Sequence, residues 1–117
     1  MDISYKTQKM GILFNSLEKL NKKYGYKNGK LIMLRQSQMR NAQNLLEFSN
    51  IPPRPRCHEL KHKKGRDLTE KFAASLDGSW RIIFEPNEDP LPLDSDGSLI
   101  WSKICAVTII GVEDYHD

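Results

Sequence analysis

The sequence predicts an α+β fold, helices first and strands second. Three observations predict it. Apolar residues recur at helical spacing from Met10 to Phe48. A proline-rich break follows at Ile51–Arg56, and apolar runs of strand character then surround an Asp77-Gly78 turn signal. Helices and strands segregated along a chain imply an α+β domain rather than alternating α/β units.

Ile3–Lys6 reads as a short opening strand or an extended lead-in. Met10, Leu13, Phe14, Leu17 and Leu20 then share a helical stripe, with Asn15, Glu18, Lys19, Lys22 and Lys23 between them. Thr7 or Ser4 supplies the capping oxygen. The segment Tyr24–Gly29 is expected to end this helix, because Gly25 and Gly29 favour the left-handed backbone that closes helices. A second helix is predicted from Lys30 to Gln43, with Leu31, Leu34, Met39 and Ala42 on one face. Leu45, Leu46 and Phe48 pack a short final turn. Two helices joined by a short link form a helical hairpin.

Pro52, Pro53 and Pro55 exclude helix and interior strand, so Ile51–Arg56 is an extended connector. It is too short for a flexible interdomain linker, and one domain spanning residues 1–117 is expected. Strands are predicted at Arg56–Leu60, Phe72–Leu76 and Trp80–Glu85, the last two joined by the Asp77-Gly78 hairpin signal. Pro86–Gly97 reads as an acidic loop, with Asp94-Ser95-Asp96-Gly97 as a hairpin turn. That turn resembles the start of a calcium loop but lacks the later ligands. Lys103–Tyr115 is the longest strand, apolar on both sides and therefore central in its sheet.

Composition narrows the function classes. The 117 residues are 38% hydrophobic and 28% charged. No apolar run reaches the roughly 20 residues that span a bilayer. The N-terminal segment has no apolar stretch of signal-peptide type, so a cytoplasmic, membrane-free protein is expected. Cys57 and Cys105 read as small, buried, apolar-like thiols. A zinc set drawn from Cys57, His58, His62, Cys105 and His116 lacks a close Cys-x-x-Cys pair, so no metal is expected. No Walker loop, paired-glycine nucleotide motif or Gly-x-Ser-x-Gly is present.

Charge is divided unevenly. Residues 1–71 hold 16 Lys/Arg against 6 Asp/Glu, a balance of +10, and residues 72–117 hold 2 against 9, a balance of −7. Such asymmetry points to a polyanionic partner for the basic half, or to helices with lysine-rich outer faces. The densest stretch, residues 54–66, has six Lys/Arg and two His with Glu59 as its only acid. A cluster of this kind neutralises phosphates. Arg81 lies inside an apolar strand, where an arginine is either paired, to Glu113 or Asp114, or turned to a functional face. The closing Tyr115-His116 pair brings two proton-transfer groups to the end of the last strand.

In combination, three segments resemble the RelE/ParE superfamily of type II toxins, most nearly its HigB-like mRNA interferase branch. They are His58-Glu59-Leu60-Lys61 with the basic, glycine-containing turn after it, Asp77–Phe84, and Val112–His116. The likeness covers residues 54–117 well and the two helices loosely. Glu85–Pro90 with Trp101-Ser102-Lys103 resembles a subgroup with a longer loop between the last two strands. The resemblance implies a helical hairpin packed on a twisted, mostly antiparallel sheet of four to five strands. It implies a ribosome-dependent endoribonuclease in which the 2′-OH of the mRNA attacks the adjacent phosphate, with no cofactor and no metal. By the same resemblance Lys61 and Arg81 hold the phosphate, Tyr115 and His116 move protons, and His58 orients the site. His58, Lys63, Lys64, Arg66 and Lys71 would contact RNA. The implied partners are mRNA on the ribosome and a helix-turn-helix, HigA-like antitoxin, through which alone operator DNA is bound. A ParE-like gyrase inhibitor, or an inactive homologue acting only by binding, is the alternative. One departure stands out: relatives carry a basic residue on the strand before the Asp77-Gly78 turn, and Phe72–Leu76 has none, leaving Lys71 or Arg66 to substitute.

Overall fold

The computed structural model describes residues 1–60 and 70–115. Its elements run β1 (Asp2–Tyr5), α1 (Gln8–Phe14), α2 (Leu17–Tyr24), α3 (Tyr26–Asn41), α4 (Leu45–Asn50), β2 (His58–Glu59), β3 (Phe72–Ser75), β4 (Trp80–Pro86) and β5 (Ala106–Asp114). The fold is α+β. The five strands form one sheet in the order β1-β5-β4-β3-β2. All neighbours are antiparallel except β1 and β5. N-terminal helices on a mostly antiparallel sheet agree with a RelE-like arrangement. No described helix is long and apolar enough to cross a membrane.

The helical half differs from the sequence expectation in its breaks. The first predicted helix is two helices. α1 stops at Asn15, whose side-chain amide donates back to Gly11 O, and Ser16 caps α2 by accepting from Lys19 N at 3.2 Å. The Tyr24–Gly29 segment, expected to end the helix, is mostly helical: only Gly25, at φ 89°, interrupts the chain before α3 starts at Tyr26. Gly29 falls inside α3 because α2 passes closely there. A Cβ at that position would lie 1.9 Å from Asn21 Oδ1. Of the two candidate caps, Thr7 and Ser4, Thr7 is the N-cap and accepts from Met10 N at 3.1 Å. Thr7→Ala is expected to cost about 1 kcal/mol, read as a lower urea midpoint at unchanged slope.

One core cluster joins both halves. Phe14, Leu20, Ile32, Met39, Leu45 and Phe48 from the helices meet Phe72, Ile82, Phe84, Val107 and Ile109 of the sheet. The predicted stripe of α3 is only partly right. Leu31 and Leu34 are half-buried, whereas Ile32, Arg35, Gln36 and Gln38 are buried. These polar side chains tie α3 to what surrounds it. Arg35 donates to Ser75 O and Pro53 O at 2.9 Å each, and Gln36 donates to Phe14 O at 3.0 Å. Burial lowers the pKa of the Arg35 guanidinium.

The predicted strands are all present: β2, β3 and β5 are trimmed, β4 runs one residue further to Pro86, and β1 starts one residue earlier. Leu76 N donates to Trp80 O and Gly78 takes φ 59°, so Asp77-Gly78 forms the expected hairpin turn. Residues Trp101–Lys103, expected as loop and strand start, form a 3-10 turn before β5. The Asp94 turn also forms, and Asp94 Oδ1 accepts from Asp96 N and Ser98 N. β5 is central: it pairs with β1 on one side and β4 on the other.

Cys105 departs from the expected burial, being exposed just outside β5, while Cys57 is half-buried. Burial pushes the Cys57 thiol from 9.0 up to about 12. The thiolate is the reactive form. Iodoacetamide at pH 8 is therefore expected to alkylate Cys105 at least about tenfold faster than Cys57, as followed by peptide mass mapping.

Candidate functional site

Strand alternation sorts the sheet into two faces. Ile82 and Phe84 of β4 and Phe72 and Ala74 of β3 join the core under the helices. Their neighbours Arg81, Ile83, Glu85, Ala73 and Ser75 therefore belong to the second face. The centre of that face, Ala73 with Ile83, is itself buried, at 0% and 3% exposure. The polar side chains lie around this apolar centre.

Arg81 lies at the hairpin end. It pairs with Ser75 on β3 and with Glu113 on β5. Its guanidinium turns back to the hairpin, where Nη1 donates to Gly78 O at 2.9 Å and Trp80 O at 2.7 Å. The β4–β5 ladder continues one step past Asp114, since Tyr115 N donates to Ser79 O at 2.9 Å. That step carries Tyr115 to the same hairpin, and its hydroxyl is shielded from solvent. Ser79 Oγ donates to Asp114 Oδ1 beside them. Arg81 and Tyr115, far apart in sequence, thus reach one end of the sheet. They share it with the carboxylates of Glu113 and Asp114.

His58 lies elsewhere. It is exposed on edge strand β2, paired with Ala73, with Nδ1 3.1 Å from Arg56 O. Two strand spacings, roughly 10 Å, separate the β2 and β4 backbones. Lys71 directly precedes β3 and forms an ion pair with Glu85. Because Phe72 pairs with Phe84, that ion pair is four residues along β4 from Arg81, roughly 13 Å. Lys71 therefore lies apart from Arg81, held beside Glu85. The positions of β3 that face the site are Ala73 and Ser75. Lys61, Lys63, Lys64 and Arg66, like His116, lie outside the described residues. Leu60 N donates to Lys71 O at 2.8 Å, which fixes the two ends from which the Lys61–Glu70 segment departs.

Of the two acids named as possible partners of Arg81, the β4–β5 register, which includes a bulge at Ile83/Phe84, puts Glu113 directly opposite it. One participant was not legible in the sequence. Glu85 as the partner of Lys71 follows from the β3–β4 register. Among the described residues, no three His, Cys, Asp or Glu side chains gather as a metal set. Comparison with known protein families, curated proteins and solved structures gives no match.

Proposed function

We propose that this chain is the toxin of a type II toxin-antitoxin system, a ribosome-dependent endoribonuclease of the HigB-like kind. One observation carries the reading: Arg81 and Tyr115 converge at one end of a sheet whose edge strand runs straight into the basic Lys61–Arg66 segment. In the reaction, the 2′-oxygen of the mRNA bonds to the adjacent phosphorus and its proton passes to a base. The bond from phosphorus to the 5′-oxygen breaks, and that oxygen takes up a proton. A 2′,3′-cyclic phosphate and a 5′-hydroxyl result. Lys61 and Arg81 stabilise the charge growing on the phosphoryl oxygens, the electrostatic role in which fixed cations contribute most. Tyr115 and His116 exchange the two protons, with His58 orienting the strand of RNA. Lys63, Lys64 and Arg66 hold the RNA backbone. A helix-turn-helix antitoxin neutralises the protein and carries any binding to operator DNA. The working compartment is the cytoplasm, where the mRNA is translated.

A second reading, an inactive homologue or gyrase-binding relative, is favoured by Ala73 and Ser75 on β3 and by Glu113 opposite Arg81. Controlled expression followed by mapping of mRNA 5′ ends separates the two. Cleavage phased to codons is the expected result. Intact mRNA with accumulating double-strand DNA breaks would point to gyrase, and no growth effect would leave a binding-only protein.

A further inference from the structure

The helical layer carries a surface that the proposed nuclease chemistry does not use. Between α1, α2 and the β5 backbone at Gly111 lies a half-open cavity of about 680 Å³. Its floor is apolar, with Met10, Leu13, Phe14 and Tyr24. Its rim holds Lys9 on α1 and Lys19, Lys22 and Lys23 on α2, and no acidic residue lines it. Lys19 and Lys23 are one helical turn apart, and Lys23 Nζ lies 5.6 Å from the Tyr24 ring. Ile12 stands on α1 with 54% of its surface exposed. A second cavity, of about 560 Å³, shares Thr7 and Ile12 with the first and extends the depression past α1 to Tyr5 and Asn15.

We propose that this groove docks an acidic amphipathic helix of a partner protein. The chemistry favours a helix over a small ligand. Small-molecule sites hold a few fixed polar groups that orient the ligand inside an enclosed pocket. Here the charged groups are exposed lysines on a rim, and the apolar surface runs on over Ile12 into the neighbouring cavity. An amphipathic helix meets such a surface with an apolar stripe at i, i+3, i+4 and i+7 spacing. Glutamates or aspartates on both sides of that stripe would face Lys9 across α1 and the Lys19/Lys23 turn on α2. The inference stands apart from the nuclease reading, since it uses none of that reading's residues.

The test titrates the full chain with a synthetic 18-residue helix bearing a leucine stripe flanked by glutamates, followed by amide NMR shifts and calorimetry. Expected are shifts gathered on α1 and α2, and affinity that falls as salt rises. Ile12→Asp, and separately the combined Lys19→Glu and Lys23→Glu, should each weaken binding at least about tenfold, near 1.4 kcal/mol. Lys27→Glu with Lys30→Glu, off the groove on α3, should leave affinity within about twofold, which separates local docking from general attraction to a basic protein. A peptide with lysines in place of its glutamates should not bind. Equal loss in both lysine pairs would overturn the proposal, as would absence of binding. Saturable binding of dodecanoate in the groove without peptide binding would replace it with a small-amphiphile site. Concentration-dependent dimerisation abolished by Ile12→Asp would replace it with a second copy of this chain.

Discussion

Replacing Arg81 with alanine is expected to abolish codon-phased mRNA cleavage while leaving the fold intact. Arg81 is the described cation of the proposed site that lies on a core strand, so its position is set by the ladder on both sides. Its Nη1 bonds go to two backbone carbonyls, which restrain the guanidinium without neutralising it. Loss of one preorganised group stabilising an oxyanion typically lowers the rate roughly 10²–10³-fold. Urea unfolding should change by no more than about 1 kcal/mol, because the side chain is only half-buried and its hydrogen bonds are peripheral. Lysine at the same position should recover part of the activity, since it restores charge but not the forked geometry. Undiminished cleavage by the alanine variant would remove Arg81 from the mechanism and leave the sheet's hairpin end as a structural corner.

The largest stability effect is expected from Phe84→Ala. Phe84 is fully buried on β4 and lies where the two halves of the chain meet. Its ring stacks on Phe72 at 5.7 Å and meets Phe48 of α4 edge-on at 6.1 Å. Phe72 in turn meets Trp101 at 5.2 Å. Removing the ring opens a cavity bounded by Phe48 and Phe72, and Phe72 cannot fill it without leaving Trp101. The expected cost is about 3–5 kcal/mol. Domains of this size have a total of about 5–15 kcal/mol, so the variant should be largely unfolded in modest urea. A loss below about 1 kcal/mol would mean that Phe48 and Phe72 repack into the space.

Sequence signals identified the elements better than their junctions. The strands of the second half were legible because Trp80–Glu85 and Lys103–Tyr115 are rich in β-branched and aromatic residues and Asp77-Gly78 names its own turn. The break at Asn15-Ser16 was hidden because the apolar stripe from Met10 to Leu20 continues across it. Its cause is local, a Ser16 cap that competes with the helix for Lys19 N. Gly29 misled for the opposite reason. It reads as a helix stop, yet it is glycine so that α2 can pass at close range. The burial of Arg35, Gln36 and Gln38 was invisible in a polarity pattern, because their partners are carbonyls of Pro53, Ser75 and Phe14 brought together only by the fold. The same limit applies to the site. Arg81 and Tyr115 could each be named from the sequence, with Glu113 and Asp114 as candidate partners of Arg81, but which of the two lies opposite it and the distance of Lys71 depend on register.

The parallel pairing of β1 with β5 sets a schedule. Ser4 Oγ lies 2.8 Å from Thr108 Oγ1, across 104 positions of sequence. During synthesis at roughly 5–20 residues per second, β1 waits roughly 5–20 s for its strand neighbour β5. Until then, Val107 and Ile109 are missing from the core under the helices, and β4 lacks its β5 partner. Growing chains should thus stay open to protease until β5 has emerged, and then become resistant late and all at once.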